Sequence, residues 1–272
     1  MNSRNKQSFQ NIVRDFYLEH GRHDLPWRQP ESDGGFDAYK IMVSEVMLQQ
    51  TQVPRVIPKF NDFVRRFPTI DSLAKAELGV ALRAWSGLGY NRRAKFLHQA
   101  ARQIKQNYTG NISQDPAELM KLPGIGPNTA AAIVAYSFNQ PVAFIETNIR
   151  TVFIHHFFNG QTAVTDKAIL KMVQTTLDHD NPRIWYWSLM DYGAYLKQTI
   201  GNLNKASSTY SKQSTFHGSR RQIRGQIIRL LGEHTQLETA LAKLVNDDRL
   251  PDVLQELVNE GLVHKRRDQF SL

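Results

Sequence analysis

Apolar residues recur along most of this chain three or four positions apart, which is the spacing of amphipathic helices. Asp37 is a plausible N-cap where the second of these segments begins. Strand-like alternation with hairpin turn signals is almost missing. The pattern therefore predicts an all-α protein with helices over residues 5–20, 37–52, 54–66, 71–75, 78–85, 91–107, 115–121, 127–138, 147–157, 166–178 and 183–196.

The last part of the chain, residues 216–272, has a pattern of its own. Helices are predicted over 219–232, 236–246 and 249–260, and a strand-like end, LVHKRRDQFSL, follows Gly261. Three helices and a β-ribbon are typical of a winged helix, whose third helix usually enters the major groove. Here that helix carries Asp252, Glu256 and Glu260, so we expect the module to clamp the DNA backbone or contact protein instead of reading sequence.

Length and charge narrow the class of protein. A chain of 272 residues suits about two domains with sizeable cores. The net charge of +9 favours a polyanionic partner such as DNA or RNA, while an ordinary basic protein remains the alternative. No apolar run approaches the ~18 residues of a membrane span, and the polar N-terminus does not resemble a signal peptide. We expect a cytoplasmic, nucleoid-associated protein with no membrane partner.

Cysteine is absent from the chain. Disulfides, thiolate zinc sites, iron–sulfur clusters and cysteine nucleophiles are therefore excluded. The nine histidines show no metal-ligand spacing. A histidine–carboxylate metal site remains the one metal alternative.

A basic stretch runs over residues 197–224 and contains no acidic residue. Its cations include Lys205, Lys212 and Arg220, and most of the other residues are Ser, Thr, Asn or Gln. The composition indicates a linker or an extended segment that lies against an anion, with a solvated loop as the alternative. We expect Lys205, Lys212 and Arg220 to contact DNA.

A glycine hairpin is predicted between helices 115–121 and 127–138. Gly124-Ile125-Gly126 makes the turn, and Pro127 begins the next helix at a position where its missing N–H costs nothing. Glycine allows close backbone approach, and the free N–H groups of the second helix could hold a phosphate. The hairpin predicts DNA contacts from the residues Leu122, Gly124, Ile125, Gly126, Asn128 and Thr129.

Five segments resemble one known family. LPGIGPNTAAAI (122–133) is similar to the helix-hairpin-helix of the HhH-GPD DNA glycosylase superfamily. LPWR (25–28), VSEVMLQQTQV (43–53), WSGLGYNRRAKFLHQAA (85–101) and SLMDYGAYL (188–196) resemble its A/G-specific adenine DNA glycosylases, the MutY type. The resemblance covers residues 8–196 in order.

The resemblance implies a two-lobed helix-hairpin-helix glycosylase fold. Residues 1–29 with 137–196 would form one lobe, 30–136 the six-helix barrel lobe, 197–215 a basic linker and 216–272 the winged-helix-like module. The family usually holds a [4Fe–4S] cluster on four cysteines, so this chain resembles a clusterless variant without a cofactor; a monovalent cation at the hairpin is left open. The family often carries a nudix-like domain that recognises 8-oxoguanine, but residues 216–272 are expected to form a winged helix instead, so that recognition is not carried over.

The resemblance also implies catalytic residues. Base removal needs an acid for the leaving base and a carboxylate for the cationic sugar. The family's general acid falls on Glu45, which has apolar neighbours that favour its protonated form. Its aspartate falls on Glu146, and its Asn on Asn148. Because Glu is one methylene longer than Asp, three alternatives follow: a reshaped site, a different substrate, or binding without cleavage.

Further positions follow from the same resemblance. Asn128 stands where bifunctional members carry a Lys nucleophile, so the enzyme is expected to be monofunctional, and the base it accepts is left open. Gln49, Gln50 and Tyr90 match residues that wedge into the base stack, with core packing as the alternative for Tyr90. Arg92 and Arg93 are expected at phosphates, with a solvated helix face as the alternative. Trp27 and Arg28 fall near the family's adenine pocket.

Together these features predict a monomeric, monofunctional base-excision-repair glycosylase. It would act on double-stranded DNA and remove a flipped-out adenine opposite G or 8-oxoguanine. A thymine or uracil mismatch glycosylase is the alternative within the enzyme class. A non-catalytic protein that binds DNA damage is the alternative outside it.

Overall fold

The computed structural model describes residues 2–212 and 215–272. The α-helices in these ranges are α1 Ser3–His20, α2 Ala38–Leu48, α3 Val53–Arg66, α4 Ile70–Lys75, α5 Leu78–Trp85, α6 Arg92–Asn107, α7 Pro116–Leu119, α8 Pro127–Phe138, α9 Thr147–Phe157, α10 Asp166–Thr176, α11 Pro182–Thr199, α12 Arg220–Glu233, α13 Glu238–Val245 and α14 Leu250–Asn259. The strands are β1 Gln236–Leu237, β2 His264–Arg266 and β3 Gln269–Ser271, and two 3₁₀ turns span Pro26–Arg28 and Leu203–Ala206.

The all-α prediction is confirmed, and each predicted helix overlaps an observed one. Asp37 begins α2 as expected, because its Oδ1 accepts the backbone N–H of Tyr39 at 2.8 Å. Thr69, Asp115 and Thr165 cap α4, α7 and α10 with their own side chains. Such caps are local signals, so they can be recognised in sequence without the tertiary structure.

The chain forms two compact units. The first contains residues 1–42, 114–120 and 125–212, and the second contains 43–113, 121–124 and 213–272. The domain boundaries drawn from the sequence stay a prediction. Gln213 and Ser214, which belong to the predicted basic linker 197–215, lie outside the described residues.

Aromatic rings form the core of the first unit. The ring of Phe9 on α1 meets Phe153 on α9 and Trp185 on α11 edge-on, with centroids 5.5 and 5.7 Å apart. Phe153 and Trp185 are fully buried. Edge-to-face pairs add to the hydrophobic stabilisation of such rings. These ring contacts join α1, α9 and α11 in one core, in which α11 packs on both α1 and α9.

Helix α6 lies at the centre of the second unit. Ala94, Leu97 and Ala101 are buried on the face that packs against α4 and α5. Phe63 of α3 meets Trp85 at the end of α5 edge-on at 6.0 Å. The segment between α5 and α6 is therefore held at both ends by helices that contribute buried residues to the core.

The C-terminal residues 219–272 belong to the second unit, where α12 packs on α5. Their antiparallel sheet has the order β1-β3-β2. Strand β1 begins where the sequence predicted a helix, because a two-residue strand is too short to leave a periodic signal. The three helices and the ribbon occur in the predicted order; their assignment to the winged-helix class stays a prediction.

Candidate active site and DNA-binding surface

The glycine hairpin has the local geometry that the sequence predicted. Gly124 has a φ of +76°, and a Cβ added there would lie 2.8 Å from the Cβ of Phe96 on α6. Position 124 therefore requires glycine for two reasons, its backbone angle and its closeness to a neighbour. Gly126 is the N-cap of α8, and Pro127 occupies the first helical turn.

The start of α8 faces outward. Gly126, Pro127 and Asn128 are exposed, and Gly126 has no side chain that could cover the first amides of the helix. Leu122 and Ile125 are each only 5% exposed. These two residues therefore stabilise the hairpin from within, and their predicted DNA contacts stay predictions.

Glu146 is the N-cap of α9. Its Oε1 accepts the backbone N–H groups of Asn148 at 2.6 Å and Ile149 at 3.1 Å. The longer side chain thus folds back onto its own helix and occupies the capping role that suits a shorter Asp. The carboxylate is consequently held at the positive end of the helix dipole.

Two opposing effects set the pKa of Glu146. Burial raises it, whereas the N–H groups of Ile149, Asn148 and Thr147 and the charge of Arg150 lower it. Burial is the larger effect, so the pKa of Glu146 lies above its ordinary value. Perturbed carboxyl groups of this kind are common at functional sites.

Close packing fixes the first turn of α9. A Cβ added to Gly193 of α11 would lie 2.2 Å from the backbone oxygen of Asn148, so only glycine allows the two helices to approach this closely. Arg150 pairs with Asp166 of α10 through two hydrogen bonds of 3.0 Å. Asn148 therefore has a fixed backbone position just after Glu146.

The segment after α11 provides another contact to α9. Asn204 is buried and donates from Nδ2 to Oγ1 of Thr151 at 2.8 Å. The backbone of Val164 bonds to both Ala206 and Ser208 at 2.9 Å. Part of the predicted linker is thus held in the first unit by hydrogen bonds. Lys205 and Lys212 are exposed.

Glu45 lies in the interior of α2 and is half-buried. Its helical neighbours Met42, Val46 and Met47 are almost fully buried. The carboxyl group is therefore carried by a helix that is apolar on both sides of it. The role of Glu45 as general acid stays a prediction.

The predicted wedge residues lie on two strained turns. Gln50 follows α2 with a φ of +55°, and Tyr90 precedes α6 with a φ of +48°. Positive φ is unfavourable for residues with a side chain and is often found at functional sites. Gln49 and Tyr90 are half-buried, and Gln50 is exposed.

Arg93 joins these two turns. Its side chain is buried, and its guanidinium donates to both the end of α2 and the turn before Tyr90. The acceptors are the backbone oxygens of Val46 (2.8 Å), Met47 (2.9 Å), Gln49 (2.5 Å), Leu88 (3.4 Å) and Gly89 (3.2 Å) and Oγ1 of Thr51 (3.1 Å). Burial lowers the pKa of Arg93 to about 10, so it stays charged at neutral pH. Arg93 therefore joins the end of α2 to the turn before Tyr90, and its predicted phosphate contact stays a prediction.

Two other cations predicted to contact DNA form ion pairs within the second unit. Arg92 pairs with Glu260, and Arg220 pairs with Glu256, each at 2.6 Å. Both arginines remain exposed on one side. Their predicted DNA contacts stay predictions.

Arg28 and Trp27 are buried in the first unit. Arg28 makes a bidentate pair with Asp191 of α11 at 2.8 and 2.9 Å, and its guanidinium lies 5.3 Å from the Trp187 ring centroid. Asp191 also accepts the backbone N–H of Arg22 at 2.7 Å. The ion pair ties the 3₁₀ turn to α11; a role for Arg28 and Trp27 in a base pocket stays a prediction.

A family model described as HhH-GPD superfamily base excision DNA repair protein matches residues 43–175. The adenine DNA glycosylase of Mycolicibacterium smegmatis is 33% identical over 280 residues, which cover 94% of this chain and 93% of that protein. The chain belongs to the adenine DNA glycosylase family.

Other adenine DNA glycosylases extend beyond the matched region. That of Buchnera aphidicola subsp. Baizongia pistaciae is 37% identical over 69% of this chain, and the match covers 52% of its own length. This chain thus spans about half the length of that relative. A solved thermostable thymine-DNA glycosylase shares the fold with a TM-score of 0.60, at 22% identity over 70% of this chain and 87% of that one.

The residues of this family member do not fit a [4Fe–4S] cluster, because no cysteine is present to supply thiolate ligands. Over residues 2–212 and 215–272, no three His, Asp or Glu side chains are grouped as metal ligands. None of the helices described in those ranges is long and apolar enough to cross a membrane.

Sequence reasoning missed several supporting residues. Asp191 and Gly193 lie in SLMDYGAYL, which served only for the resemblance, and Asn204 was hidden in a polar stretch. For Asp191 and Gly193, the available signal was a charged residue or a glycine inside a helix whose other residues are mostly buried. Asn204 left no such signal, since its partner Thr151 is 53 positions away.

Proposed function

We propose that this chain is a monofunctional DNA glycosylase that hydrolyses the N-glycosidic bond of adenine in a mispair. The observation that carries the proposal is the match to an adenine DNA glycosylase along 93% of that protein's length. The local geometry of Glu146 and Asn148 supports it, because a carboxylate and an amide begin the same fixed helix turn.

In the proposed reaction, Glu45 donates a proton to the leaving base. It is half-buried in the interior of α2, between apolar residues. A protonated leaving base departs more readily, as a protonated leaving group does in glycoside hydrolysis. The proton ends on the released adenine.

Glu146 supplies the negative charge that stabilises the oxocarbenium-like sugar. The amides of Asn148 and Ile149 support its ionised form and orient it. A water molecule then adds to the sugar carbon and releases one proton to solvent, Glu45 takes up a proton again, and the product is an abasic site. Asn148 would orient Glu146 or this water.

The residue at position 128, which is not an amine, supports a monofunctional enzyme. Asn128 is exposed at the start of α8 and cannot form a Schiff base with the sugar. The expected product is therefore an intact strand with an abasic site and little strand cleavage.

Double-stranded DNA is the proposed partner. The exposed start of α8 offers backbone amides to a phosphate, and the net charge of +9 favours a polyanion. Gln49, Gln50 and Tyr90 would enter the base stack while the target base is turned outward, which offsets the lost stacking.

The departure from Asp to Glu at position 146 favours a second candidate, a protein that binds damage without cleavage. A carboxylate displaced by one methylene can lose a large factor in rate. The capping geometry argues for retained activity, because Glu146 reaches the same helix amides that an Asp N-cap would use. Wild type and Glu146→Asp therefore distinguish the two candidates.

The test is a panel of labelled duplexes with A, T or U opposite G, and A opposite 8-oxoguanine. After alkali treatment, cleavage at adenine by the wild type, its loss in Glu45→Gln and its absence without alkali would support the proposal. Release of thymine or uracil alone would replace adenine as the substrate. Binding without base release, with activity gained by Glu146→Asp, would establish the non-catalytic candidate.

A further inference from the structure

The C-terminal residues reach the candidate wedge. Nη1 of Arg221 on α12 donates a hydrogen bond to the hydroxyl oxygen of Tyr90. The guanidinium carbon of Arg221 lies 5.4 Å from the Tyr90 ring centroid, and that of Arg93 lies at the same distance. Two arginines, 128 positions apart in sequence, thus contact one tyrosine.

An ion-pair cluster holds this part of the chain next to Tyr90. Glu260 at the end of α14 accepts Arg92 of α6 at 2.6 Å and also Arg224 of α12. The Nζ of Lys95 donates to the backbone oxygen of Glu260. The side chain of Glu260 is only 16% exposed, so these pairs are screened less than surface pairs.

Two of the acidic residues of α14, Glu256 and Glu260 at its end, therefore have partners inside the protein. Glu256 pairs with Arg220 at 2.6 Å and with Arg224 at 3.5 Å. A helix whose carboxylates are used in this way is not available to enter a DNA groove, but through Glu260 it links α12 to α6. Arg221 is then placed beside the one tyrosine expected to enter the base stack.

We propose that residues 219–272 position the wedge, with Arg221 as the positioning residue for Tyr90. Tyr90 has a positive φ, so its turn has a backbone conformation that the residue alone would not favour. Arg93 holds the backbone of that turn, and Arg221 holds the ring. A ring fixed before DNA arrives loses less conformational entropy on insertion.

The proposal rests on the proposed function, because it takes Tyr90 as the wedge. Its first test is independent of catalysis. Hydrogen–deuterium exchange of residues 86–91 is measured in full-length, DNA-free Arg221→Ala, with Arg229→Ala as the matched control. Arg229 is an exposed arginine on the same helix α12. We expect faster exchange in Arg221→Ala and wild-type exchange in the control.

The second test follows base flipping. A duplex with 2-aminopurine in place of the target adenine reports flipping by fluorescence, and excision of adenine gives kcat/KM. We expect Arg221→Ala to reduce both roughly tenfold, since a hydrogen bond from a charged donor is lost. Arg221→Lys should recover part of the loss. In a Tyr90→Leu background, Arg221→Ala should have almost no further effect.

Equal behaviour of Arg221→Ala and Arg229→Ala in exchange and flipping would overturn the proposal. So would a full effect of Arg221→Ala in the Tyr90→Leu background, because the residue would then act elsewhere. If the wild type excises no base, the proposed function fails, and the exchange experiment still decides whether Arg221 holds the Tyr90 turn.

Discussion

The helix that carries Glu146 and the turns that carry the wedge are held in opposite ways. Contacts from separate elements converge on α9, including Gly193 against Asn148, Asp166 on Arg150 and Asn204 on Thr151. Around the wedge, one side chain, Arg93, bonds to both turns. A distributed arrangement tolerates the loss of one contact, whereas a single shared donor does not. We therefore expect graded losses around α9 and a concerted loss around the wedge.

The largest effect is expected for Arg93→Ala. The variant leaves several buried backbone oxygens without a donor, so the free energy of unfolding should fall by about 4 kcal/mol. Chemical denaturation measures the loss, and hydrogen exchange should increase together over residues 46–51 and 86–91. Arg102→Ala, an exposed change on the same helix, is the control. Faster exchange in only one of the two turns would show that Arg93 does not hold both turns together.

Asp191→Asn should cost about 3 kcal/mol, because it leaves Arg28 and Arg22 beside a neutral group. Burial by itself raises the pKa of Asp191, but hydrogen bonds and charge from Arg28 and Arg22 outweigh burial and lower it. The carboxylate therefore contributes stability above the unfolded-state pKa of about 3.9, and this contribution is lost as pH falls through the lower folded-state pKa.

Denaturation curves measured from pH 6 down to about pH 2 test this sign. The stability difference between wild type and Asp191→Asn should shrink towards the acid end. Asp180→Asn, an exposed change nearby in sequence, should show no such trend. A difference that stays constant with pH would mean that the ion pair contributes nothing through its charge.

Gly193→Ala should cost about 2 kcal/mol, since the added Cβ must displace α9 or α11. The excision rate should fall as well, because the backbone of Asn148 is the group that moves. Gly225→Ala is a matched control: it lies in α12 with no atom within 4 Å of an added Cβ, so it should be neutral or slightly stabilising. A stable Gly193→Ala enzyme with full activity would contradict the close packing.

The smallest effect is expected for Asn204→Ala. Loss of its buried hydrogen bond to Thr151 should cost about 1 kcal/mol, because the other contacts to α9 remain. Denaturation midpoints of this variant and of the exposed control Asn159→Ala give the difference. A loss as large as that of Arg93→Ala would show that α9 depends on one contact after all.

Local sequence features predicted much of this molecule. Helix periodicity, side-chain caps such as Asp37 and the Gly-Pro hairpin depend on neighbours within a few positions, so the sequence shows them directly. The positions of Glu45, Glu146 and Asn128 followed from the resemblance to the family. The two-residue strand β1 was missed because pairing with β3, 33 or so positions later, is its only cause.

The helices, the hairpin turn and the absence of thiolate ligands could be predicted from the sequence, because they depend on residue type and short spacing. Only the folded structure shows the contacts of Arg93, Asp191 and Arg221. Each of them bonds to partners that lie tens to more than a hundred positions away in sequence. A cation can face solvent, a carboxylate or a set of backbone oxygens with no difference in its local sequence. Desolvation and the available acceptors make that choice, and both exist only once the chain has folded.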